Sequence, residues 1–553
     1  MPELSLVAIA AGLVTGAVIL TFRTLIDLIV TAFTGGPEAF EALPALPRAV
    51  LPLAGALLVG LALTRLPAAS RRYGVTHVME RLSRHQGRMP LGNAVGEFAG
   101  GITALAAGVS GGREGPAIHL GAASASLLGQ ALQVPHNSLR VLVACGVAAA
   151  IAGSFNTPMA GVVFAMEVVM MEYTIGSFIP VILAAVTTTL LTHWFLGPDP
   201  AFQVAPLRLA SLLEIPFIVL CGVVIGALAA GYARLVQLFA RLHRWPFWRR
   251  ALAAGAITAA GSLLAPQIMG VGYDTVDAAM TGQLTLATLA AVVVLKTISS
   301  AASVGLGLPV GVIGPTFVIG AAIGGVMGIL GAGLGEGASA SSGFYVMLGM
   351  AAMMAASLQA PLAALMAVLE LTANPNVILP AMLIIVVATL VTSSAFRQPS
   401  VFLSSLRAQG LEYPPSPVRA HLRRVGVAAI MNRSFAALPV VCTPDAARKA
   451  LAAHPRWIVA EDEDGRPLAV LSAGDLQIEL DSADGLVDLL QIPARRRDVA
   501  DIDYLATVEE AQSTLRRRSV EALCVRRTAA PMLSPVRGIV TLEDIDNYQE
   551  SAL

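Results

Sequence analysis

The sequence predicts a polytopic, mostly helical membrane domain followed by a smaller α/β domain of soluble character. Three observations carry this. Of 553 residues, 56% are hydrophobic and only 13% charged, and the mean hydropathy is +0.73, which is the composition of a membrane protein. Apolar segments fill residues 4 to about 396. Beyond Phe396 the composition changes: a polar, proline-containing linker covers 397–425, and 426–553 reads as soluble.

Taken in order, Met1-Pro2-Glu3 lacks the basic stretch of a secretory signal and runs straight into an apolar segment, so a first membrane helix is expected there. Segments at about 4–33, 50–65, 176–196, 214–240 and 376–396 are long enough to cross a bilayer, which takes about 20 apolar residues. Others, at 117–132, 158–170, 315–330 and 361–371, are too short or too broken by Gly and Pro to cross alone. Half-length helices persist at membrane depth only inside a bundle or around a cavity.

The membrane part is also internally repeated, with copies at about 1–196 and 214–396. The run from Gly146 to Pro158 is echoed from Gly349 to Pro361, and each proline leads to a glutamate, Glu167 and Glu370, at a constant offset. Upstream of each copy lies a Gly-x-x-Gly-Pro, at 112–116 and 311–315. Interrupted segments in matching places of two halves point to a transporter's binding site.

Gly112-Arg113-Glu114-Gly115-Pro116 places two ionisable side chains between the apolar stretches 91–109 and 117–132. Such charges cost about 2.5–3.5 kcal/mol each on insertion scales and usually mark an ion path. The glycines and proline end one helix and start another, and a helix start offers bare N–H groups to an anion. A carboxylate at that place could itself occupy the anion's seat and leave on protonation. A salt bridge of Glu114 with Arg113, or a capping role, is the plainer alternative.

Charge is balanced, 36 basic residues against 36 acidic, which gives no reason to expect a nucleic-acid partner. Cys145, Cys221, Cys442 and Cys524 form no CxxC pair, and neither a metal site nor a disulfide framework is suggested. An intramembrane enzyme would need a nucleophile–base pair or HExxH ligands. Neither occurs, and His119 and His193 stand alone in the apolar region, so no catalytic role is expected.

In the tail, Thr443-Pro444 reads as a helix cap with Pro at the first helical position, and Thr507 to Glu510 as a capping box. Strands are expected at 457–460 and 468–471, joined by a turn at Asp464-Gly465, and again at 522–525 and 538–541. Ser472 precedes Asp475 as Thr541 precedes Asp544, which suggests two copies of one α/β module.

The runs 112–116, Asn156-x-Pro158-x-x-Gly161 and Gly311-Val312-Ile313-Gly314-Pro315, in this order, resemble the CLC family of chloride channels and anion/proton exchangers. The tail resembles the paired CBS domains many members carry, at about 426–480 and 497–550. The resemblance implies two inverted repeats over residues 1–396, one pore per subunit, a homodimer, and a location in the cell (inner) membrane with the tail cytoplasmic. Arg81, Arg84 and Arg88 in one short loop support that orientation. Glu114 matches the gating glutamate. The amides around Arg113, Glu114 and Gly115 match the outer anion site, and those of Val312 and Ile313 the central one.

Four departures from the family pattern matter. Tyr73 stands where a serine usually offers its hydroxyl to the central anion, and Phe402 stands at or beside the place of a tyrosine. An exchange of donors follows as an expectation, with Tyr73 supplying the hydroxyl that Phe402 lacks; the alternative is that Tyr73 merely packs. Val168 falls on the internal proton-transfer glutamate and cannot carry a proton. Glu167 beside it is a substitute candidate, or else structural. Glu97 replaces a lysine, with Lys296 either compensating or else capping a helix or lying at the lipid interface, and His77 replaces an acid, as a pH sensor or a packing or capping residue.

The resemblance therefore implies chloride transport through a pore gated by Glu114, channel-like or weakly proton-coupled. A strict antiporter with a non-standard proton path, or a fluoride-selective relative, is the alternative. No cofactor is required, although Asp475 and Asp544 match acids that bind an adenine nucleotide's ribose in some CBS pairs.

Overall fold

In the computed structural model the described residues are 2–198, 211–332, 341–408, 421–480, 485–527 and 535–552; the 409–420 part of the expected linker lies outside them. The described residues up to Ala408, apart from 132–139, form one compact unit, and 132–139 with the described tail residues form a second.

The first half of the membrane unit runs α1 Pro2–Thr34, α2 Ala45–Thr64, α3 Gly74–Arg84, α4 Leu91–Ala106, α5 Glu114–Ala131, α6 His136–Phe155, α7 Pro158–Phe164 and α8 Ile175–Leu196. The second runs α9 Ile215–Ala240, α10 Phe247–Leu264, α11 Tyr273–Met280, α12 Leu286–Gly305, α13 Ile313–Ala332, α14 Ser342–Leu358, α15 Pro361–Thr372 and α16 Ile378–Leu390, and α17 Val401–Ala408 closes the unit. Among the described residues 8 helices are long and apolar enough to cross a membrane.

The repeat is visible in local chemistry. Asn156 and Gln359 both take a left-handed backbone, φ 59° and 55°, and a proline two residues on starts α7 and α15. A left-handed residue ends a helix, and proline suits the first position of the next. The packing repeats too: α1 lies on α8 as α9 lies on α16, while α2 meets α10 and α7 meets α15 across the pseudo-two-fold. The α5–α6 and α13–α14 pairs are each closed by facing glycines, Gly121 with Gly146 and Gly320 with Gly349, where a Cβ would strike the opposing backbone. Small residues let membrane helices approach closely.

One expectation is corrected. The segment at 315–330 is not half-length: its helix begins at Ile313 and runs 20 residues, as one of the candidate spans. It reads as broken because the glycines that interrupt its hydrophobic run are packing contacts. Of its apolar window 78% is buried inside the protein, and for α6 the figure is 89%, so these helices are surrounded mainly by other helices.

The tail unit forms the four predicted strands and, among the described residues, four that were not foreseen. Its six-stranded sheet consists of β1 Phe435–Pro439, β3 Trp457–Glu461, β4 Pro467–Ser472, β6 Arg497–Asp503, β7 Ala522–Arg526 and β8 Gly538–Thr541, in that order. In each half the first strand pairs parallel with the second and the second antiparallel with the third; β4 with β6 joins the halves. A two-stranded ribbon, β2 Val441–Cys442 with β5 Val487–Asp488, lies apart. The Thr443 cap and the Thr507–Glu510 capping box form as expected, and Gly465 turns the hairpin at φ 71°.

Candidate functional site: a helix-start junction and the cavity below it

Two helix starts from the two repeats meet backbone to backbone. Gly112 N donates to Gly311 O at 2.8 Å and Gly311 N to Gly112 O at 2.6 Å, an isolated antiparallel bridge. A Cβ on Gly115 would lie 2.5 Å from Gly311 Cα, so only glycine permits this approach. The free first-turn amides of α5 and α13 are thereby brought together.

Glu114, fully buried, begins α5 and reaches across to the other repeat. Its Oε2 accepts the Gly314 N–H at 3.0 Å, and its Oε1 accepts the hydroxyl proton of Tyr273. Gly112 and Gly314 wall this seat, since a Cβ on either would stand 2.5 or 2.9 Å from Oε2. The carboxylate thus occupies a helix N-terminus where an anion would be favoured. The salt bridge with Arg113, the plainer alternative, is marginal at 3.9 Å. Arg113 instead lies over the Tyr273 ring at 5.1 Å, with Asp27 3.7 Å from its Nη1.

Below the junction lies a cavity of about 420 Å³ lined by Tyr73, Gly74, His77, Gly115, Gly311, Val312, Ile313 and Phe402. The structure therefore gathers Tyr73, Gly115, Val312, Ile313 and Phe402 around one space, while Glu114, next to Gly115, does not line it. Toward α17 the walls carry Arg71, Arg72, His243 and Arg250 against the single acid Glu80, which Arg72 pairs. A cationic mouth with apolar walls concentrates anions.

Tyr73 caps α3 without a side-chain hydrogen bond. Its hydroxyl is buried with no partner and rests on Gly96 of α4, where a Cβ would come within 2.9 Å. Phe402 is buried at the start of α17. Both residues line the cavity, with the Tyr73 hydroxyl against Gly96.

Glu167 lies away from this space. Its carboxylate accepts from Leu362 N at 3.1 Å and Ala363 N at 2.7 Å, the start of α15, while Glu370 accepts from Met159 and Ala160 N, both at 2.8 Å, at the start of α7. The repeats thus cap one another. Val168 is buried on the π-helical turn 165–170 that packs on α3. Lys296 neither faces lipid nor lines the cavity: fully buried, it donates to Ile268, Gly270 and Val271 carbonyls at 2.9–3.0 Å and so fixes the turn ahead of Tyr273.

His119 and His193, isolated in sequence, have partners. His77 Nδ1 stands 2.8 Å from His119 Nε2, and His193 Nε2 stands 2.6 Å from Asn156 Oδ1. Sequence reasoning also missed Tyr273 and Gly314, both at the Glu114 carboxylate. The repeat held a signal for them, because α11 and α13 are the counterparts of α3 and α5. In the tail, Asp544 forms a reciprocal cap with Thr541, while Ser472 accepts from Gly474 N; Asp475 lies in the first turn of its helix.

Comparison with known proteins fits this geometry. The family model described as voltage gated chloride channel matches residues 54–393. A putative chloride channel protein, ClcB-like, of Ralstonia nicotianae is 33% identical over 387 residues, 68% of this chain and 90% of that protein. Among solved structures, a slow cyanobacterial Cl−/H+ antiporter superposes with TM-score 0.66 at 22% identity, covering 74% of this chain and 98% of its own. A eukaryotic CLC transporter does so with TM-score 0.60 at 20% identity, covering 98% and 97%. A helix-start junction between two repeats, a membrane fold shared with these structures and a family match over most of the membrane unit lead to one assignment: the chain belongs to the voltage gated chloride channel (CLC) family of integral membrane anion transport proteins.

Proposed function

We propose that this protein moves chloride through the cavity and past the junction of α5 and α13, with the Glu114 carboxyl as its gate. The observation that carries this reading is the Glu114 Oε2 on Gly314 N–H at 3.0 Å, a carboxylate in the seat an anion would take. Protonation removes the charge that holds it there, and chloride replaces it. Backbone amides suit a briefly held ion, because no full cationic charge traps it. Flux is channel-like or weakly proton-coupled, since the ionisable side chain next to Val168 is committed to capping α15.

The test is chloride efflux from vesicles carrying the purified protein, across pH, with and without Glu114→Gln. Glutamine fills the seat without a titrating charge, so the pH dependence of efflux disappears. A variant as pH-dependent as the native protein would overturn the gate. Including fluoride and nitrate in the same assay measures selectivity, and Tyr73→Phe in that assay reads the donor exchange: unchanged selectivity rejects it.

The protein is further proposed to be a homodimer in the cell (inner) membrane with a cytoplasmic CBS pair, on family resemblance and on the repeated three-strand order of the tail sheet. Asp475 is the better nucleotide contact of the two acids, because Asp544 is held by Thr541. Calorimetric titration of the full chain with ATP, against Asp475→Ala, checks this.

A further inference from the structure

Three ionisable side chains form a buried line beside the cavity that the gate does not use. His77 of α3 lines the cavity wall and is 4% exposed; His119 of α5 and Glu97 of α4 are fully buried. His77 Nδ1 is 2.8 Å from His119 Nε2, and His119 Nδ1 is 3.6 Å from Glu97 Oε2. That Oε2 accepts the N–H of Gly74, the first residue of α3, at 3.0 Å. Both His119 Nδ1 and Glu97 Oε1 lack any hydrogen-bond partner.

Burying two unsatisfied polar atoms costs about 1–3 kcal/mol each, and a simple packing cluster has no reason to retain them. They are what a proton carrier needs: an imidazole with one nitrogen engaged and the other free to pass its proton on. The surrounding charges leave this line distinct. On the α3 side Arg72, Arg81 and His85 stand near His77, and Glu80, paired with Arg72, lines the same cavity wall. Tyr73 stands near Glu97, and Arg71 stands near Tyr73. Glu167, on the turn packed against α3, is bound to the α15 amides, and Arg407 lies in the last turn of α17. On α1, Arg23 and Asp27 belong to the Arg113 group at the opposite end.

We propose that His77, His119 and Glu97 are a proton relay from the cavity to the gate. A proton from cavity water binds the outer nitrogen of His77, and the Nδ1 proton passes to His119 Nε2. The His119 Nδ1 proton then passes to Glu97, closing the 3.6 Å gap by a small ring rotation. Each imidazole ends neutral, with its proton on the other nitrogen, and reset follows by ring flips. The cavity wall carries both Gly74, bonded to Glu97, and Gly115, next to Glu114. Glu97 itself is fully buried and does not line that wall; the relay therefore includes a last transfer, from Glu97 to a Glu114 carboxylate that has left Gly314 and turned toward Gly74.

The inference rests on the reading of Glu114 as gate, and the experiment separates the two. Vesicles holding the full chain are given a chloride gradient, and proton and chloride movement are recorded together. The relay takes the weakly proton-coupled form of that reading: the native protein drives protons against their gradient, and His119→Phe lowers protons moved per chloride at least about tenfold, as loss of a positioned proton carrier does. His77→Phe gives the same loss, and His119→Gln, a polar replacement that cannot relay, serves if phenylalanine prevents folding, with chloride efflux as the folding check. Absence of proton movement in the native protein, or a ratio within about twofold of native in the histidine variants, overturns the relay. If Glu114→Gln keeps its pH dependence, the gate fails instead, whatever the histidines do.

Discussion

Glu114 is held by donors of two kinds, and removing one of them tests how firmly the gate is seated. The Gly314 amide belongs to the backbone, but the Tyr273 hydroxyl can be deleted. A hydrogen bond to a charged group is worth about 1.5–3 kcal/mol, so Tyr273→Phe loosens the carboxylate and raises chloride efflux near neutral pH by about tenfold or more. Efflux measured at pH 7 and pH 5 checks this, and the gain is larger at the higher pH, where more of the carboxyl is ionised. The same logic applies to Gly96. Its missing Cβ leaves room for the Tyr73 hydroxyl 2.9 Å away, so Gly96→Ala displaces the phenol toward the cavity. Altered chloride-to-nitrate selectivity is expected there, in a residue that does not itself line the cavity.

At the scale of elements, the reciprocal caps explain how half-length helices are kept. The α7 helix has seven residues, and its exposed amides would be unsatisfied in lipid. Glu370 supplies two acceptors to it, and Glu167 supplies two to α15. Glu370→Gln and Glu167→Gln each weaken these charge-assisted bonds, and thermal unfolding in detergent should fall for both, by an amount corresponding to about 1–3 kcal/mol. A drop in only one would break the equivalence of the repeats. The sequence made much of this visible. Glu167 and Glu370 keep the same distance from Pro158 and Pro361, and Glu114 stands out because a charge between glycines at membrane depth is chemically odd. Tyr273 and Gly314 were legible only through the repeat, and Gly96 and the pairing of His77 with His119 were not legible. Each acts through a neighbour from another helix, and a one-dimensional reading contains no crossing of helices. The length of α13 was misread for a related reason: glycines that serve helix packing look, in sequence, like breaks.

For the whole molecule, the site is closed at one end and open at the other. Glu114 and the glycine bridge seal the junction, and the roughly 420 Å³ cavity extends from it toward α17 between basic walls. Ser405 lines that cavity one turn into α17, with its hydroxyl bonded back to Val401 O at 2.9 Å and nothing else required of it. All four native cysteines are buried, so they give little background to thiol reagents. Ser405→Cys is therefore expected to react with a water-soluble, charged methanethiosulfonate applied from the α17 side, and not from the other. The added group narrows the passage, and chloride efflux drops. A positively charged reagent should block less than a negatively charged one of equal size, because it adds to the attraction that Arg71, Arg72 and Arg250 exert on anions. Raising salt from low to physiological strength shrinks that difference, since the Debye length falls from about 30 Å at 0.01 M to about 8 Å. Equal modification from both sides would mean that the carboxylate does not close the path, and the asymmetry on which the gate and the cavity-fed relay both depend would be gone.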